Sequence, residues 1–425
     1  MAAPTSSRSN LLTRMLDRPR FPATVICVAA CCLVFTVLLV LRTKVLDPSD
    51  PVRWANPYDH HKYIYLAQHP VGSFHINPPC WRIAVPFLVG LLPAPTITAY
   101  KIQASVLVVA TGVLLYVFLH RAAGYTAGES FLGLVLYYSY GPATKLMIQG
   151  PYSPDPAIFT ILVIALLCLY RRHDVLLAIT LTTGAAVKET IILLIPLIYT
   201  IRATRLIDIR LLVRTVLIGA PALAVLLTIR SLIPAYNDVD SYVSQTGPQL
   251  TQVHLGTAKF SYRDALQRVT RARLQDTPVN IVRDLTYGSV GLLWLLPFFA
   301  LAHREPATRD ASPPSPAASS NSELLFRFLP FFALTYFGWF LALNTDRRFA
   351  FAFPFLIMMG LNGLKHLAGG WNLNVLWFVP VFLLQYLLNL LQPQAPAVPF
   401  DVTAATFLLC LGLLYSFRER LPVSR

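Results

Sequence analysis

The sequence predicts an all-α fold, a polytopic transmembrane helical bundle of about twelve spans with interfacial helices in its first outer loop. Three observations carry this expectation. Hydrophobic residues make up 55% of the 425 positions and charged residues only 13%, beyond what a water-soluble core requires and in keeping with repeated membrane crossing. Apolar runs recur from near the N-terminus to near the C-terminus and leave no room for a large soluble domain. Basic residues sit between those runs, where cytoplasmic ends belong: Arg8, Arg14, Arg18 and Arg20, then Arg171 and Arg172, then Arg202, Arg205, Arg210 and Arg214, and last Arg418, Arg420 and Arg425. Both termini are therefore expected inside. The net charge of +15 follows this topological pattern and lacks the basic face with interleaved aromatics that nucleic-acid binding needs.

Taken in order, the first run, 21–41, follows Arg18 and Arg20 and has no small-x-small cleavage site after it, so it reads as an uncleaved signal anchor. The outer loop 42–98 carries the aromatic stretch Tyr58 to Ala67, suited to a helix at headgroup level. A second apolar run, Trp81 to Leu92, is bounded by Pro78-Pro79 and by Pro93-Ala94-Pro95. At about 12 residues it is too short for a core of roughly 30 Å and is expected to be interfacial or re-entrant. Spans are then predicted over 99–119, 129–148, 156–170, 174–187, 190–201 and 213–232. Charge parity divides 174–201 into two short legs with Lys188-Glu189-Thr190 at the outer tip, because a single helix would put the arginines of 202–214 outside. A polar outer loop, 233–287, holds an expected helix from Tyr262 to Gln275 with Arg263, Arg268, Arg271 and Arg273.

A span at 288–302 completes an N-terminal bundle, 1–303. The segment 304–324 is rich in Pro, Ser and Ala and is expected to be a flexible cytoplasmic linker. Spans at 325–343, 350–366, 373–391 and 402–417 then make up the C-terminal part of the same membrane domain, 325–425. Of the six cysteines, only Cys80 lies in a loop, so no disulfide framework is expected. No internal repeat is visible.

This topology gathers Asp59, Arg82, Asp155, Lys188, Glu189, Asp346, Arg347 and Arg348 at one membrane surface from separated stretches. Ionisable groups at membrane depth are costly and tend to face cavities, so their convergence predicts a polar, outward-opening site. Carboxylates suit a general base, and cations suit an anionic leaving group such as phosphate. Each residue also has a plainer reading. Asp59 has Lys62 and Tyr63 one helical turn along. Arg82 is placed to snorkel. Lys188 and Glu189 are placed for an ion pair with each other at a hairpin tip. Arg347 and Arg348 suit headgroup anchoring. Asp155, within Pro151-Tyr152-Ser153-Pro154-Asp155-Pro156, suits a helix cap and ranks second as a site residue, as do His60 and Asp346. His60 and His61 are adjacent with no third ligand at metal-like spacing, so no metal or other cofactor is indicated. Nucleotide-binding and common hydrolase signatures are missing from the sequence.

The order of one span, a long outer loop with an Asp beside aromatics, a Pro-bounded short segment and a multi-span bundle resembles the GT-C superfamily of membrane glycosyltransferases. The pieces Tyr58-Asp59-His60-His61-Lys62-Tyr63, Arg82-Ile83-Ala84-Val85-Pro86-Phe87-Leu88, Lys188-Glu189-Thr190 and Asp346-Arg347-Arg348 look like the short motifs of its bacterial-type members. The resemblance implies transfer of a sugar from a polyprenyl-phosphate carrier to an extracytoplasmic glycan, lipid or protein acceptor, with inversion, at the outer face of the plasma membrane. It implies Asp59 as the acidic residue of the first outer loop at the reacting centre, and the predicted convergence makes Arg82, Lys188, Glu189, Arg347 and Arg348 the expected substrate- and phosphate-binding residues. Many members carry two acids where this chain has Asp59-His60. A secondary transporter or a flippase for lipid-linked saccharides is the alternative, since the Lys188-Glu189 tip between short half-helices is also a transporter feature.

Overall fold

The computed structural model describes residues 20–46, 60–205, 207–237, 242–246, 249–286, 290–300, 315–337, 349–393 and 399–421. Among the described residues the chain is helical nearly throughout, with one small antiparallel hairpin, β1 (Tyr242–Thr246) and β2 (Gln249–His254). The helices are α1 (Arg20–Arg42), α2 (His60–Gln68), α3 (Ala84–Gly90), α4 (Thr96–Arg121), α5 (Ala127–Ser139), α6 (Lys145–Gln149), α7 (Asp155–Tyr170), α8 (Asp174–Val187), α9 (Ile195–Arg202) and α10 (Ile209–Leu232). After the hairpin come α11 (Tyr262–Leu274), α12 (Pro278–Leu285), α13 (Asn321–Phe337), α14 (Phe353–Gly370), α15 (Val379–Leu390) and α16 (Phe400–Phe417).

Local chemistry sets several of these ends. Thr126 and Glu129 form a reciprocal capping box at the start of α5, with Thr126 N–H on Glu129 Oε2 at 2.8 Å and Glu129 N–H on Thr126 Oγ1 at 3.2 Å. Asp208 caps α10 by accepting the Leu211 N–H at 3.0 Å.

Among the described residues, four helices are long and apolar enough to cross a membrane: Pro22–Arg42, Thr96–Arg121, Ile209–Leu232 and Phe400–Phe417. A fifth span results if α14 and the pair Val375–Leu390, bent by 115° at their junction, are counted as one broken crossing. The expected count of about twelve is thus not supported, for identifiable reasons. The runs at α7 and α8 form helices of 16 and 14 residues. At 1.5 Å per residue these are about 24 and 21 Å long, short of a core of roughly 30 Å. The run at 288–302 forms two 3₁₀ turns, Gly291–Trp294 and Leu296–Ala300, with Gly291 at φ 59. The outward faces of the long helices remain apolar: Ile26 and Leu41 on α1, Leu217 and Leu227 on α10, and Leu408 and Leu409 on α16 are each at least 65% exposed. Such faces are compatible with a membrane protein.

Ion pairs and hydrogen bonds fix how the central helices run. Arg202, at the end of α9, pairs with Asp174 at the start of α8 at 2.7 Å and donates to the Leu169 carbonyl near the end of α7 at 3.1 Å. Arg214, near the start of α10, also pairs with Asp174. At the other extreme, Asp155 at the start of α7 pairs with Lys188 just past α8, and Trp81 donates to the Ile233 carbonyl just past α10 at 3.0 Å. Residues 174–202 therefore go out and back, reversing at Lys188, whose extended backbone (φ −161, ψ 134) leads into a 3₁₀ turn, Glu189–Leu194. Gly184 permits the tight return, since a Cβ there would lie 2.7 Å from the Ile191 side chain. The bundle thus has an arginine end, with Asp174, Arg202 and Arg214, and a cluster end, with Asp155, Lys188 and Arg82.

Two expectations about connecting segments need revision. The aromatic helix α2 does not lie exposed at a surface: His60 to Leu66 are all buried, because α3, α4 and the β-hairpin pack around it. Of the linker 304–324, residues 304–314 lie outside the described residues, and from Ser315 the chain is packed rather than free. Asn321 Nδ2 donates to the carbonyls of Pro297 and Met359 at 2.8 and 2.9 Å. Asn362 Nδ2 reaches the carbonyls of Pro316 and Ser319 at 3.1 and 3.0 Å.

Candidate functional site

The cluster end is assembled from four stretches of chain. Just past a 3₁₀ turn (Pro79–Trp81), and immediately before α3, Arg82 is turned inward and is only 9% exposed. Its guanidinium meets Glu189 through both carboxylate oxygens, at 3.1 and 2.5 Å, and donates to the Tyr63 hydroxyl at 2.8 Å. That two-pronged fit is the strong form of an arginine–carboxylate contact. Tyr63 is held in turn by Tyr100, whose hydroxyl donates to the Tyr63 carbonyl at 2.8 Å. The close crossing of α3 on α2 depends on Gly90, where a Cβ would sit 2.4 Å from the Ala67 carbonyl oxygen.

One residue before Glu189, Lys188 faces a different partner. Its ammonium pairs with Asp155, which is 2% exposed and also accepts from the Ser153 hydroxyl at 3.1 Å. The reversal of the chain at Lys188 thus splits neighbouring opposite charges between two largely buried acid–base pairs. Burial alone would raise the Glu189 carboxyl, but the Arg82 guanidinium beside it prevails and holds it down to about 2. Burial lowers the Lys188 amine, a shift that Asp155 opposes only in part. Burial also pushes the nearby Cys80 thiol up to about 12, so Cys80 is no nucleophile at neutral pH.

Of the residues expected to converge, Arg82, Lys188, Glu189 and Asp155 meet here. The snorkelling reading of Arg82 and the local Lys188–Glu189 pair are both excluded by these contacts. Asp155 becomes a full member, because its carboxylate is taken up by Lys188 and Ser153. His60, at the start of α2, is buried edge-on against Tyr152 with ring centroids 5.6 Å apart, and Tyr152 also meets Tyr100 at 5.9 Å. Asp59, Asp346, Arg347 and Arg348 lie outside the described residues. Among the described residues, no group of three or more His, Cys, Asp or Glu side chains is arranged to hold a metal ion.

Tyr63, Tyr100, Trp81 and Arg230 were not singled out from sequence. Tyr63 and Trp81 stand within or beside the quoted motifs, and that proximity was the available signal. Arg230 gave none, because an arginine ending an apolar run is an ordinary topological mark.

Chemically, the arrangement offers two fixed cations, two acids that orient them, and a wall of tyrosines. No protein-family model matches this chain, and neither a curated protein nor a solved structure matches it.

Proposed function

We propose that the protein is a membrane glycosyltransferase of GT-C type that moves a sugar from a polyprenyl-phosphate carrier to an acceptor on the extracytoplasmic side of the plasma membrane. The observation that carries this reading is the gathering of Arg82, Glu189, Lys188 and Asp155 at one end of an apolar bundle, Arg82 and Asp155 buried and Lys188 and Glu189 partly so. Withdrawing charges from water even in part is costly when they are paired, and hydrophobic residues would hold the helices together at lower cost. Such clusters are therefore more expected at working sites than at structural ones.

In this reading Asp59 takes the proton of the acceptor hydroxyl while that oxygen attacks the anomeric carbon. The bond from that carbon to the carrier's phosphate oxygen breaks, and its electron pair leaves with the lipid phosphate. Lys188 and Arg82, held by Asp155 and Glu189, stabilise the charge gained by the phosphate, with Arg347 and Arg348 as further cations. His60 and Asp346 are neighbours with no assigned step.

A second reading has its own support. The out-and-back segment 174–202 and the 115° bend between α14 and α15 are the broken helices that a transporter or flippase would use.

The experiment reconstitutes the full chain with a glycosylated polyprenyl phosphate and an extract of candidate acceptors. Release of unglycosylated polyprenyl phosphate is expected from the wild type and is expected to vanish in Asp59→Asn. Movement of intact glycolipid between leaflets without cleavage would instead install the transporter reading.

A further inference from the structure

Beside the cluster, and outside its pairing, stands Arg230 in the last turn of α10. Its guanidinium lies over the Trp81 ring, 4.8 Å from the centroid, and 5.7 Å from the centroid of Tyr262. Trp81 is itself locked by its Nε1 donation to the Ile233 carbonyl. Phe260 braces both rings edge-on, at 5.6 Å from Trp81 and 4.8 Å from Tyr262. Among the described residues no hydrogen bond or ion pair engages Arg230, and its Nε is buried without a partner.

The charge balance gives this a direction. Arg82 is matched by Glu189 and Lys188 by Asp155, so the positive charge of Arg230 has no counterpart among these pairs. A guanidinium held by ring faces alone keeps its N–H donors unspent, and cation–π contact fixes its plane. A planar fork of that kind suits the paired oxygens of phosphate. The surroundings are apolar. Leu227 and Leu232 on and beside this turn of α10 are 65% and 74% exposed, and Phe87 and Leu88 on α3, a few residues beyond Trp81, are 51% and 60% exposed.

We propose that Arg230, held between Trp81 and Tyr262, binds the phosphate headgroup of a lipid whose hydrocarbon chain lies along α3 and the last turns of α10. This rests on reading the site as one that works on lipid phosphates, and it adds a residue whose role is recognition rather than bond breaking.

The test uses the full chain in nanodiscs of zwitterionic lipid, with decaprenyl phosphate, phosphatidic acid and inorganic phosphate as probes and native mass spectrometry as readout. The wild type is expected to retain decaprenyl phosphate. Arg230→Gln is expected to lose at least about tenfold in retention, with part restored in Arg230→Lys, which keeps the charge but not the fork. Should Arg230→Gln fail to fold, Tyr262→Leu, at a position 59% exposed, loosens the sandwich and is expected to weaken retention by a smaller factor. Equal retention by the wild type and the folded variants overturns the assignment of Arg230 and leaves the glycosyltransferase reading intact. Inorganic phosphate held as tightly as the lipid overturns the lipid assignment. Arg230-dependent retention of phosphatidic acid with exclusion of decaprenyl phosphate supports the subsite and removes the polyprenyl reading. No lipid phosphate on folded wild type overturns both.

Discussion

Polar networks occupy both ends of the bundle, and they are built from different mixtures of charged and neutral groups. At the cluster end, Arg82–Glu189 and Lys188–Asp155 are ionised pairs. At the opposite end amides and hydroxyls share the work with the Arg202–Asp174 and Lys365–Glu129 pairs. The Tyr125 hydroxyl meets the Met358 carbonyl and Asn362 Oδ1 at 2.8 and 3.0 Å, while Asn321 and Asn362 hold the turn at 315–321 against α14 and the 3₁₀ turns. Amides and hydroxyls tie the chain together at a modest desolvation cost, whereas ionised groups cost far more for the same task. The comparison teaches that amides and hydroxyls carry part of the stapling at one end of this molecule, whereas at the cluster end two acid–base pairs carry most of it.

Substitutions at the two ends can break or sharpen that contrast. The largest effect is expected from Asp155→Asn, which leaves Lys188 buried without its counter-charge. Losing one partner of a buried pair costs about 3–5 kcal/mol, and denaturation in detergent should show it. Replacing both partners, Asp155→Leu with Lys188→Met, should recover most of that stability while activity stays lost; if activity survives the double change, the pair is merely structural.

Next comes acid. Glu189 is held down to about 2 in the folded protein against an ordinary 4.5, so its contribution is fully present above about 4.5 and is lost as pH falls toward 2. A stability profile from pH 6 to 3 should therefore fall more steeply for the wild type than for Glu189→Gln, and coincident profiles would remove Glu189 from the pair.

At the opposite end, Asn362→Ala removes the side-chain donor from the carbonyls of Pro316 and Ser319 and is expected to cost about 1–3 kcal/mol. Its lipid-phosphate retention should be unchanged; a parallel loss of retention would show that the two ends are coupled. The smallest effect belongs to Arg214→Ala at the arginine end. Arg214 is 58% exposed and Asp174 keeps Arg202, so a change under about 1 kcal/mol is expected, shrinking further in high salt.

Much of the cluster was legible from the chain itself. Arg82, Lys188 and Glu189 each stand out as ionisable residues at the edge of an apolar run, and charge parity turned the chain back at Lys188. The partnerships were not legible. Lys188 and Glu189 are neighbours of opposite charge, and only the extended backbone at Lys188 shows that they face apart. Helix count was overread because runs of 14 to 16 apolar residues resemble spans, while in the fold they are short legs buried among others. The enclosure of α2 was hidden for a related reason. Tyrosines at a headgroup boundary and tyrosines in a core have the same composition, and the β-hairpin that covers α2 comes from a stretch some 180 residues later that reads as a polar loop.

The Arg82–Glu189 pair also has a meaning in time. Its partners are 107 positions apart, whereas Asp155 and Lys188 are separated by only 33. At about 5–20 residues per second of synthesis, Arg82 leaves the ribosome on the order of 5–20 s before its acid exists. Through that interval the guanidinium lacks the Glu189 carboxylate, and a charge without its full set of partners is costly to bury. The arrival of Glu189 is the event that completes the pairing at this end of the molecule.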